Sequence, residues 1–324
     1  MIRHLCTIDI ETTTNHIHIT PDQVSAALAR PGQMVWADIQ DPTADDMAYL
    51  ARQFNFHPLA LEDCMNLHQR PKVDSYDTYF FMVLYTTVYE PGGRGLVTAE
   101  IDIFWGPNYL VTVHRGDCPD LVQAEERWGA SGHYVKQGAG FLAYLIVDSV
   151  VDNYFPVIEA INDQIEDIEE HIFVTFDQNA IQRIFNLKKE LIQLRKVVAP
   201  LRDVFVMLIR REVGLVDAPT LPYLQDVYDH LIRVADSIDT YRDIIGSTID
   251  AYMSTVANRT NEIMRRLTIM TMVLMTPALF SGIYGMNFEF MPELHWAHGY
   301  PMALGLMFAT VLLELFVFRR LGYL

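Results

Sequence analysis

Residues 267–287, reading LTIMTMVLMTPALFSGIYGMN, decide the fold of this chain. The stretch contains no Asp, Glu, Lys or Arg, and about 20 apolar residues are enough for one helix to cross a bilayer. A second apolar stretch runs from Tyr300 to Phe318, and only a short loop separates the two. The sequence therefore predicts a membrane hairpin that follows a large, water-soluble part of the chain.

The charges around the hairpin predict its orientation. Arg265, Arg266, Arg319 and Arg320 flank its open end, and the loop between the spans has neither Lys nor Arg. Because positive charges concentrate on the cytoplasmic side of membrane proteins, we expect both termini in the cytoplasm and the loop outside the inner or plasma membrane. The first ten residues lack the apolar core of a signal peptide, so the large N-terminal part is expected to be cytoplasmic.

The composition of the 324-residue chain narrows the class of ligand. Asp and Glu number 41 against 24 Lys and Arg, a net charge of −17, so nucleic acid is not an expected partner. An acidic chain suits cationic ligands, although many soluble proteins are acidic for solubility alone. The cysteines Cys6, Cys64 and Cys118 share no metal-ligand spacing and are expected to be free thiols.

Residues 1–138 mix strand and helix patterns, which predicts an α/β domain with a mixed sheet. The predicted strands are Leu5–Ile10, Met34–Ile39, Tyr79–Tyr89, Leu96–Phe104 and Tyr109–His114, with a turn at Pro91–Gly93. One helix is expected to begin near Thr43, and others are expected at Pro58–Leu67 and Leu121–Trp128.

Residues 139–218 are predicted to form an acidic pair of helices. The first covers Phe141–Phe173, and the second runs from about Gln178 to Arg211. The acidic residues of the first helix are Glu159, Asp163, Glu166, Asp167, Glu169 and Glu170. This acidic face can be a solvated surface or a rim that attracts cations, and both interpretations stay open.

A long helix is predicted from Pro222 to about Met286, with residues 219–266 as a stalk that continues into the first span. Apolar positions repeat with period seven, which indicates a coiled-coil-like seam. At 1.5 Å per residue the helix would be about 100 Å long and could not bury this stripe alone. We therefore expect a homo-oligomer with the seam near its axis. The two series are Leu224, Leu231, Ile238, Ile245 and Tyr252, and Val227, Val234, Tyr241, Thr248 and Thr255.

A chain with two spans has little room for a transport path of its own, whereas a ring of copies can enclose one. The first span, residues 267–288, has a stripe of small, hydroxyl and thioether side chains: Thr268, Thr271, Met275, Ala278 and Gly282. Such residues also occur where membrane helices pack together, so pore lining and helix packing both stay open. At the inner end, Met264 and Leu267 can form a hydrophobic constriction that gates by dewetting.

The outer end of this span carries a recognisable motif. Tyr284-Gly285-Met286-Asn287, followed by Met291-Pro292-Glu293-Leu294, resembles the signature of the CorA family of magnesium transporters. In that family Gly-Met-Asn stands at the outer end of the first of two C-terminal spans. The resemblance covers the whole chain. Further similar stretches are His57-Pro58-Leu59, Leu61-Glu62-Asp63, His68-Gln69-Arg70-Pro71-Lys72, Tyr228-Asp229-His230 and Asn261-Glu262.

The resemblance implies a homopentamer with a funnel-shaped cytoplasmic domain, acidic helices outside a stalk, and a pore lined by five copies of the first span. It implies Mg2+ as the transported ion, often together with Co2+ or Ni2+. It also implies closure when intracellular Mg2+ occupies sites between neighbouring cytoplasmic domains. Asp226 holds the stalk position of such a site, and Glu90 is the implied partner position. The expected partners are copies of the chain, membrane lipid and divalent cations.

The residues of the motif suit this task. Mg2+ gives up its water reluctantly, so a ring of neutral Asn287 amides can hold the hydrated ion without binding it too tightly. With Gly285 and Met286, Asn287 forms the expected selectivity filter, and Gly285 is expected to permit the backbone conformation needed where the helix ends. Glu289 and Glu293, in the loop 289–299, would raise the local cation concentration.

Two features depart from the family's pattern. Many members end in a run of lysines, whereas the tail 319–324 holds only Arg319 and Arg320, so a basic collar is in doubt. Glu314 lies inside the second span, residues 300–318, where a charge is costly. It is expected either to pair with a nearby arginine at the interface or to adjust ion egress.

Two alternative functions stay open. One is a Zn2+ transporter on the same fold, although His16 and His18 form an alternating pair that is more typical of a surface strand than of a ligand set. The other is an enzyme or binding domain anchored by the hairpin. The soluble part shows no nucleophile–base pair, phosphate-binding glycine loop or metal-ligand cluster, so a non-enzymatic transporter is the expected class.

Overall fold

The computed structural model describes residues 2–10, 17–67, 69–90, 95–130, 136–174, 179–210, 216 and 218–323. The predicted turn at Pro91–Gly93, together with His16, His68 and Gln178, lies outside the described residues. The chain divides into two compact units, Met1–Thr248 and Ile249–Leu324. The finer division predicted from the sequence stays a prediction.

A seven-stranded mixed sheet forms the base of the first unit. Its strands are β1 (Ile2–Asp9), β2 (Ile17–His18), β3 (Gln33–Gln40), β4 (Lys72–Ser75), β5 (Phe80–Glu90), β6 (Gly95–Trp105) and β7 (Tyr109–His114). Their order in the sheet is β2-β1-β3-β7-β6-β5-β4. β3 and β7 run parallel, and the other neighbouring strands run antiparallel. The mixed sheet is thus confirmed; β2 falls on the strand-like segment expected at His18, whereas β4 was not predicted because it is too short to show a strand pattern.

Eight helices begin in the first unit and one lies wholly in the second, counting the described residues. They are α1 (Val24–Leu28), α2 (Ala44–Phe54), α3 (Pro58–Met65), α4 (Pro119–Gly129), α5 (Gly138–Asp152), α6 (Tyr154–Val174), α7 (Ala180–Ile209), α8 (Leu221–Tyr284) and α9 (Gly299–Arg320). Helix α8 begins in the first unit and ends in the second. The prediction of one continuous helix from Pro222 to about Met286 is therefore confirmed to within two residues.

Both faces of the sheet are covered by helices, because side chains alternate between the faces along each strand. On one face, the strand residues Val35, Ala37 and Ile39 belong to the same buried cluster as residues of α1, α2 and α3. On the other face, Trp36 packs edge-on against Trp128 of α4, with 6.3 Å between ring centroids. Helix α2 begins at the predicted place, since Thr43 caps it through mutual hydrogen bonds with Asp46.

The long acidic helix predicted at Phe141–Phe173 is two helices, α5 and α6, and that prediction was wrong. Asn153 lies between them, and its side-chain amide donates a hydrogen bond to the buried carboxylate of Asp120. Pro156 follows in the first turn of α6, where it has no N–H to donate to the carbonyl of Asp152. The acidic face of α6 is exposed as predicted, except that Glu169 is partly buried and accepts a hydrogen bond from Thr248.

The heptad seam is buried by its own chain, so the inference that other copies must cover it was wrong, and its position relative to an axis stays a prediction. Its residues from Leu224 to Thr248 are buried inside the first unit, with the exception of Tyr241, which is partly exposed. Helices of the same chain cover them: the ring of Tyr223 lies 5.0 Å from that of Phe141 in α5. A heptad stripe indicates that one face of a helix is buried. It does not indicate whether a helix of the same chain or of another copy buries that face. Tyr252 and Thr255, beyond the first unit, are partly exposed.

The predicted free thiols are confirmed, and all three cysteines are buried. Beside Cys64 lies the buried carboxyl of Asp102 on β6. Burial and the negative charge of Glu100 together raise the pKa of Asp102 to about 8, and a hydrogen bond from Cys64 opposes the rise. Asp102 is therefore mostly uncharged at neutral pH.

We predict that Asp102→Asn will flatten the dependence of stability on pH. The folded pKa lies above the unfolded value of 3.8, so the free energy of unfolding falls as the pH rises through this window. The fall approaches at most about 1.4 kcal/mol per pH unit. Apparent Tm of the purified full-length chain between pH 5 and 9 measures this. Asp77→Asn, at an exposed aspartate, is the matched control. Parallel Tm profiles for wild type and Asp102→Asn would contradict the assignment.

Candidate ion pathway and cation site

Three stretches of helix are long and apolar enough to cross a membrane. The stretch Gly138–Glu170 is 72% buried inside the protein, so its apolar character is that of a protein core. The most apolar window of α8 is only 6% buried, and that of α9 is not buried at all. The two predicted spans therefore expose apolar surface that water does not solvate well, as lipid-facing helices do.

In the second unit, α8 and α9 pack through one face each. The less exposed residues of α8 recur at three and four residues: Ile269, Val273, Thr276, Pro277, Phe280 and Tyr284. Those of α9 show the same spacing: Ala303, Met307, Thr310, Val311, Glu314 and Phe318. A hydrogen bond from Thr276 to Glu314 joins the two faces. The remaining faces of both helices are not covered by this chain.

The predicted pore-lining stripe lies on the uncovered side of α8. All its residues are exposed: Met264, Leu267, Thr268, Thr271, Met275, Ala278 and Gly282. The hydroxyls of Thr268 and Thr271 donate to the carbonyls of Met264 and Leu267, one turn earlier, at 2.9 and 2.8 Å. Their oxygen lone pairs stay available as acceptors. The stripe thus takes no part in packing within the chain, and it is available to a pore or to other copies.

Helix α8 ends at Tyr284, and the Gly-Met-Asn motif follows it directly. Gly285 is not among the described glycines with positive φ, so the helix does not end in a left-handed residue here. Glycine is needed here for space: a Cβ at Gly285 would lie 3.0 Å from the carbonyl oxygen of Ser281, which already accepts the Gly285 N–H. The chain therefore leaves the helix through a tight turn.

Asn287 and the acidic loop residues are exposed beyond this turn. The side-chain amide of Asn287 makes no hydrogen bond with any described residue, so it does not cap the end of α8. Glu289 and Glu293 are exposed as well. A 3-10 turn at Pro292–His295 orders the second half of the loop, and Gly299 lets the loop backbone approach closely, because a Cβ there would collide with the carbonyl of Glu293.

The first unit contains a side-chain cluster with the geometry of a cation site, which corrects the expectation that the soluble part has no metal-ligand cluster. Asp148 and Asp152 of α5 and His230 of α8 bring their ligand atoms within 4.8 Å of one another. Asp226, one helical turn before His230, has a carboxylate oxygen 3.9 Å from its Nε2. The missed signal was spacing: Asp148 with Asp152, and Asp226 with His230, are pairs four residues apart on one helix face.

The cluster holds more negative than positive charge. Arg127 donates to the carboxylate of Asp148 at 2.7 Å, and His230 lies 3.5 Å from that of Asp152. Burial raises the pKa of Asp148, the bond from Arg127 lowers it, and the charge of Asp152 raises it again. Oxygen ligands of this kind suit a hard cation such as Mg2+. The Asp226 side chain is 58% exposed and is open to a partner from outside the chain.

Glu90 and Asp226 do not share a site within one chain. Glu90 stands at the end of β5 and lines a cavity of about 420 Å³ together with residues of α6 and α7, among them Gln164 and Glu190. Asp226 lies instead beside the α5–α8 cluster. A shared site between them therefore requires a second copy of the chain, as the resemblance implies.

Glu314 does not pair with an arginine among the described residues, which include all four arginines that flank the hairpin, so the expectation of an interfacial ion pair was wrong. One carboxylate oxygen accepts the hydrogen bond from Thr276, and the other is buried without a hydrogen-bond partner among the described residues. Arg265 donates to the carbonyl of Gly322 and lies over the ring of Tyr323. The carboxyl of Glu314 thus ties the two spans together.

We predict a measurable coupling between Thr276 and Glu314. In a double-mutant cycle of Thr276→Val and Glu314→Leu, the two losses of stability should fall short of additivity by about 0.6 kcal/mol, a typical value for hydrogen bonds between membrane helices. Unfolding of the detergent-solubilised protein measures this. Thr268→Val is the control, because its hydroxyl bonds only within α8. Additive losses of stability in both cycles would show that the hydrogen bond from Thr276 to Glu314 does not couple the two spans.

Comparison with known proteins identifies the family. The sequence profile described as "CorA-like Mg2+ transporter protein" matches residues 31–320. The cobalt/magnesium transport protein CorA of Thermotoga maritima is 38% identical over 273 residues, which cover 84% of this chain and 78% of the relative. A putative metal ion transporter of Bacillus subtilis is 37% identical over 288 residues, which cover 89% of each chain.

The structural comparison agrees. The complete structure of the CorA magnesium transporter from Methanocaldococcus jannaschii matches with a TM-score of 0.84, and the match covers 100% of both chains. At 21% identity this likeness shows a shared fold. Since the family profile spans most of the sequence and two relatives share more than a third of its residues over most of its length, this chain belongs to the CorA-like Mg2+ transporter family.

Proposed function

We propose that this chain forms a homopentameric channel that carries Mg2+, and also Co2+, across the cell membrane. The observation that carries the proposal is the uncovered stripe of α8, which ends at an Asn287 amide without a hydrogen-bond partner among the described residues. Small and hydroxyl-bearing side chains let membrane helices pack closely, so a stripe of this composition is stabilised most when the same helix from several copies faces a common axis. The arginines at the open end of the hairpin support cytoplasmic termini.

The chemistry of the stripe fits passage of a hydrated ion. Five Asn287 side chains would offer neutral amide groups that hydrogen-bond the water shell of Mg2+ without the strong attraction of carboxylates. Glu289 and Glu293 would concentrate cations at the outer mouth. Further in, the hydroxyls of Thr268 and Thr271 offer acceptors. Met264 and Leu267, 55% and 56% exposed in one chain, would form the apolar constriction at the inner end.

We further propose that intracellular Mg2+ closes the channel by binding at Asp226. Its carboxylate is exposed in one chain and adds to the acidic α5–α8 cluster, so a neighbouring copy that presents Glu90 would bring more negative charge to the same place. A bound Mg2+ offsets this repulsion and stabilises the symmetric, closed assembly. When the ion is lost, the repulsion shifts the population towards open forms.

We predict that Asn287→Ala will lower selective Mg2+ uptake at least tenfold while the protein stays pentameric, because Asn287 is solvated and makes no packing contact that folding needs. Asn287→Asp should bind divalent ions more tightly and pass them with altered selectivity. Uptake into liposomes, with Co2+, Ni2+ and Zn2+ as competitors, measures both effects. Phe290→Ala, an exposed neighbour in the same loop, is the control. Wild-type flux and competition in Asn287→Ala would end the filter proposal, and preferential Zn2+ uptake by wild type would favour the zinc alternative.

We predict that Asp226→Lys will change the Mg2+ dependence of closure. The fixed positive charge should offset part of the repulsion that the bound ion offsets in the wild type. Inhibition of flux should therefore depend less on the internal Mg2+ concentration. Flux into liposomes with internal Mg2+ varied over several decades measures this. Asp203→Lys makes the same change of charge at an aspartate that is 72% exposed on α7. The assignment fails when the inhibition curves of Asp226→Lys and wild type coincide.

A further inference from the structure

A cavity of about 520 Å³ lies between α8 and α9 in the second unit, at the end of the hairpin that carries the arginines. Arg265, Arg266 and Glu262 form its polar rim, with Tyr323 beside them. Ile269, Met270, Val273 and Leu315 form its apolar wall. The cavity is thus amphipathic along the direction of the helices: it is charged where the span begins and apolar further into the span.

The polar rim carries a surplus of positive charge. Arg266 forms an ion pair with Glu262, one turn earlier, and this pair is neutral as a whole. Arg265 donates one hydrogen bond to the carbonyl of Gly322, and its guanidinium lies 5.7 Å from the centroid of the Tyr323 ring. Neither contact neutralises its charge. A guanidinium has five N–H donors, so Arg265 keeps donors for an anion.

The apolar wall lies on the side of α8 that is turned away from the pore-lining stripe. At 100° per residue, Ile269 and Val273 lie about half a turn around α8 from Thr271 and Met275. If the stripe faces the axis, as the proposed function states, the cavity opens towards the lipid. A ligand that fills it must therefore combine an anionic group with hydrocarbon.

We propose that this cavity binds an anionic phospholipid of the inner leaflet, with its phosphate at Arg265 and an acyl chain along Met270 and Leu315. A free phosphate or a nucleotide gains nothing from the apolar wall. A zwitterionic phospholipid fits the wall but brings no net charge to the surplus at Arg265. The position of Tyr323 supports the assignment, because aromatic side chains concentrate where headgroups meet the hydrocarbon. The proposal rests on the proposed function for the direction in which the cavity opens and for the membrane leaflet that its arginines face.

The test is native mass spectrometry of the delipidated, full-length protein titrated with phosphatidylglycerol. Phosphatidylcholine with the same acyl chains and inorganic phosphate form the other arms. We expect phosphatidylglycerol to bind roughly tenfold more tightly than phosphatidylcholine, as one charge-assisted contact implies. Inorganic phosphate should not compete. Competition by phosphate at millimolar concentration would overturn the proposal in favour of a simple anion site.

Two variants distinguish binding in the cavity from a general attraction of anionic lipid to positive charge. Arg265→Gln should weaken phosphatidylglycerol binding roughly tenfold, whereas Arg320→Gln, at an arginine of the same membrane surface outside the cavity, should change it little. Met270→Trp should weaken binding while it keeps every charge, because the indole fills the cavity from a position that is 66% exposed. Equal losses for Arg265→Gln and Arg320→Gln, or full binding to Met270→Trp, would overturn the proposal. Mg2+ uptake of the same variants is measured separately, so a failed lipid site with intact uptake leaves the proposed function standing.

Discussion

One constraint determines the rest of the structure. The second half of α8 has a mostly apolar surface on all sides, and the described residues of its own chain cover only one of those sides. Helix α9 covers the face that contains Ile269 and Val273. The opposite face consists of small, hydroxyl and thioether side chains and stays exposed. Lipid can cover apolar surface, but it offers no hydrogen bonds to the threonines or to the Asn287 amide. Copies of the chain and a hydrated ion can offer both, which is why this one uncovered face determines the proposed assembly.

The threonine and glutamate side chains inside the two spans are satisfied by hydrogen bonds to nearby atoms, with one exception among the described residues. The hydroxyls of Thr268 and Thr271 bond back to carbonyls of their own helix, and Glu314 accepts from Thr276. The second oxygen of Glu314 has no such partner among the described residues. A carboxyl that is costly in hydrocarbon therefore serves as a contact between the spans and not as a charge at the interface. The hydrogen bond from Thr276 to Glu314 lies next to Pro277. Because α8 lacks one backbone hydrogen bond at this proline, the contact with α9 stabilises the helix there.

How much of this could be predicted from the sequence depends on whether the determining signal was local. The spans, the mixed sheet and the start of α2 at Thr43 follow from periodicity, length and capping within a few residues, and these predictions were confirmed. The break at Asn153 depends on a hydrogen bond to Asp120, 33 residues away. The cluster of Asp148, Asp152 and His230 joins two helices that are about 80 residues apart in the sequence. The seam from Leu224 shows the limit most clearly, because burial leaves the same pattern whichever chain provides the cover.

The proposed channel uses one ion in two chemical settings, and the difference between them follows from what each setting must do. In the pathway, an ion has to leave as readily as it enters, and neutral amides and hydroxyls provide weak, exchangeable contacts with its water shell. At Asp226 an ion has to remain bound for long enough to hold neighbouring copies together, and carboxylates provide that attraction. Arg127 moderates it, since its ion pair with Asp148 offsets one of the negative charges of the cluster. The surplus of acid near Asp226 is therefore limited, which is what a sensor with a usable range requires.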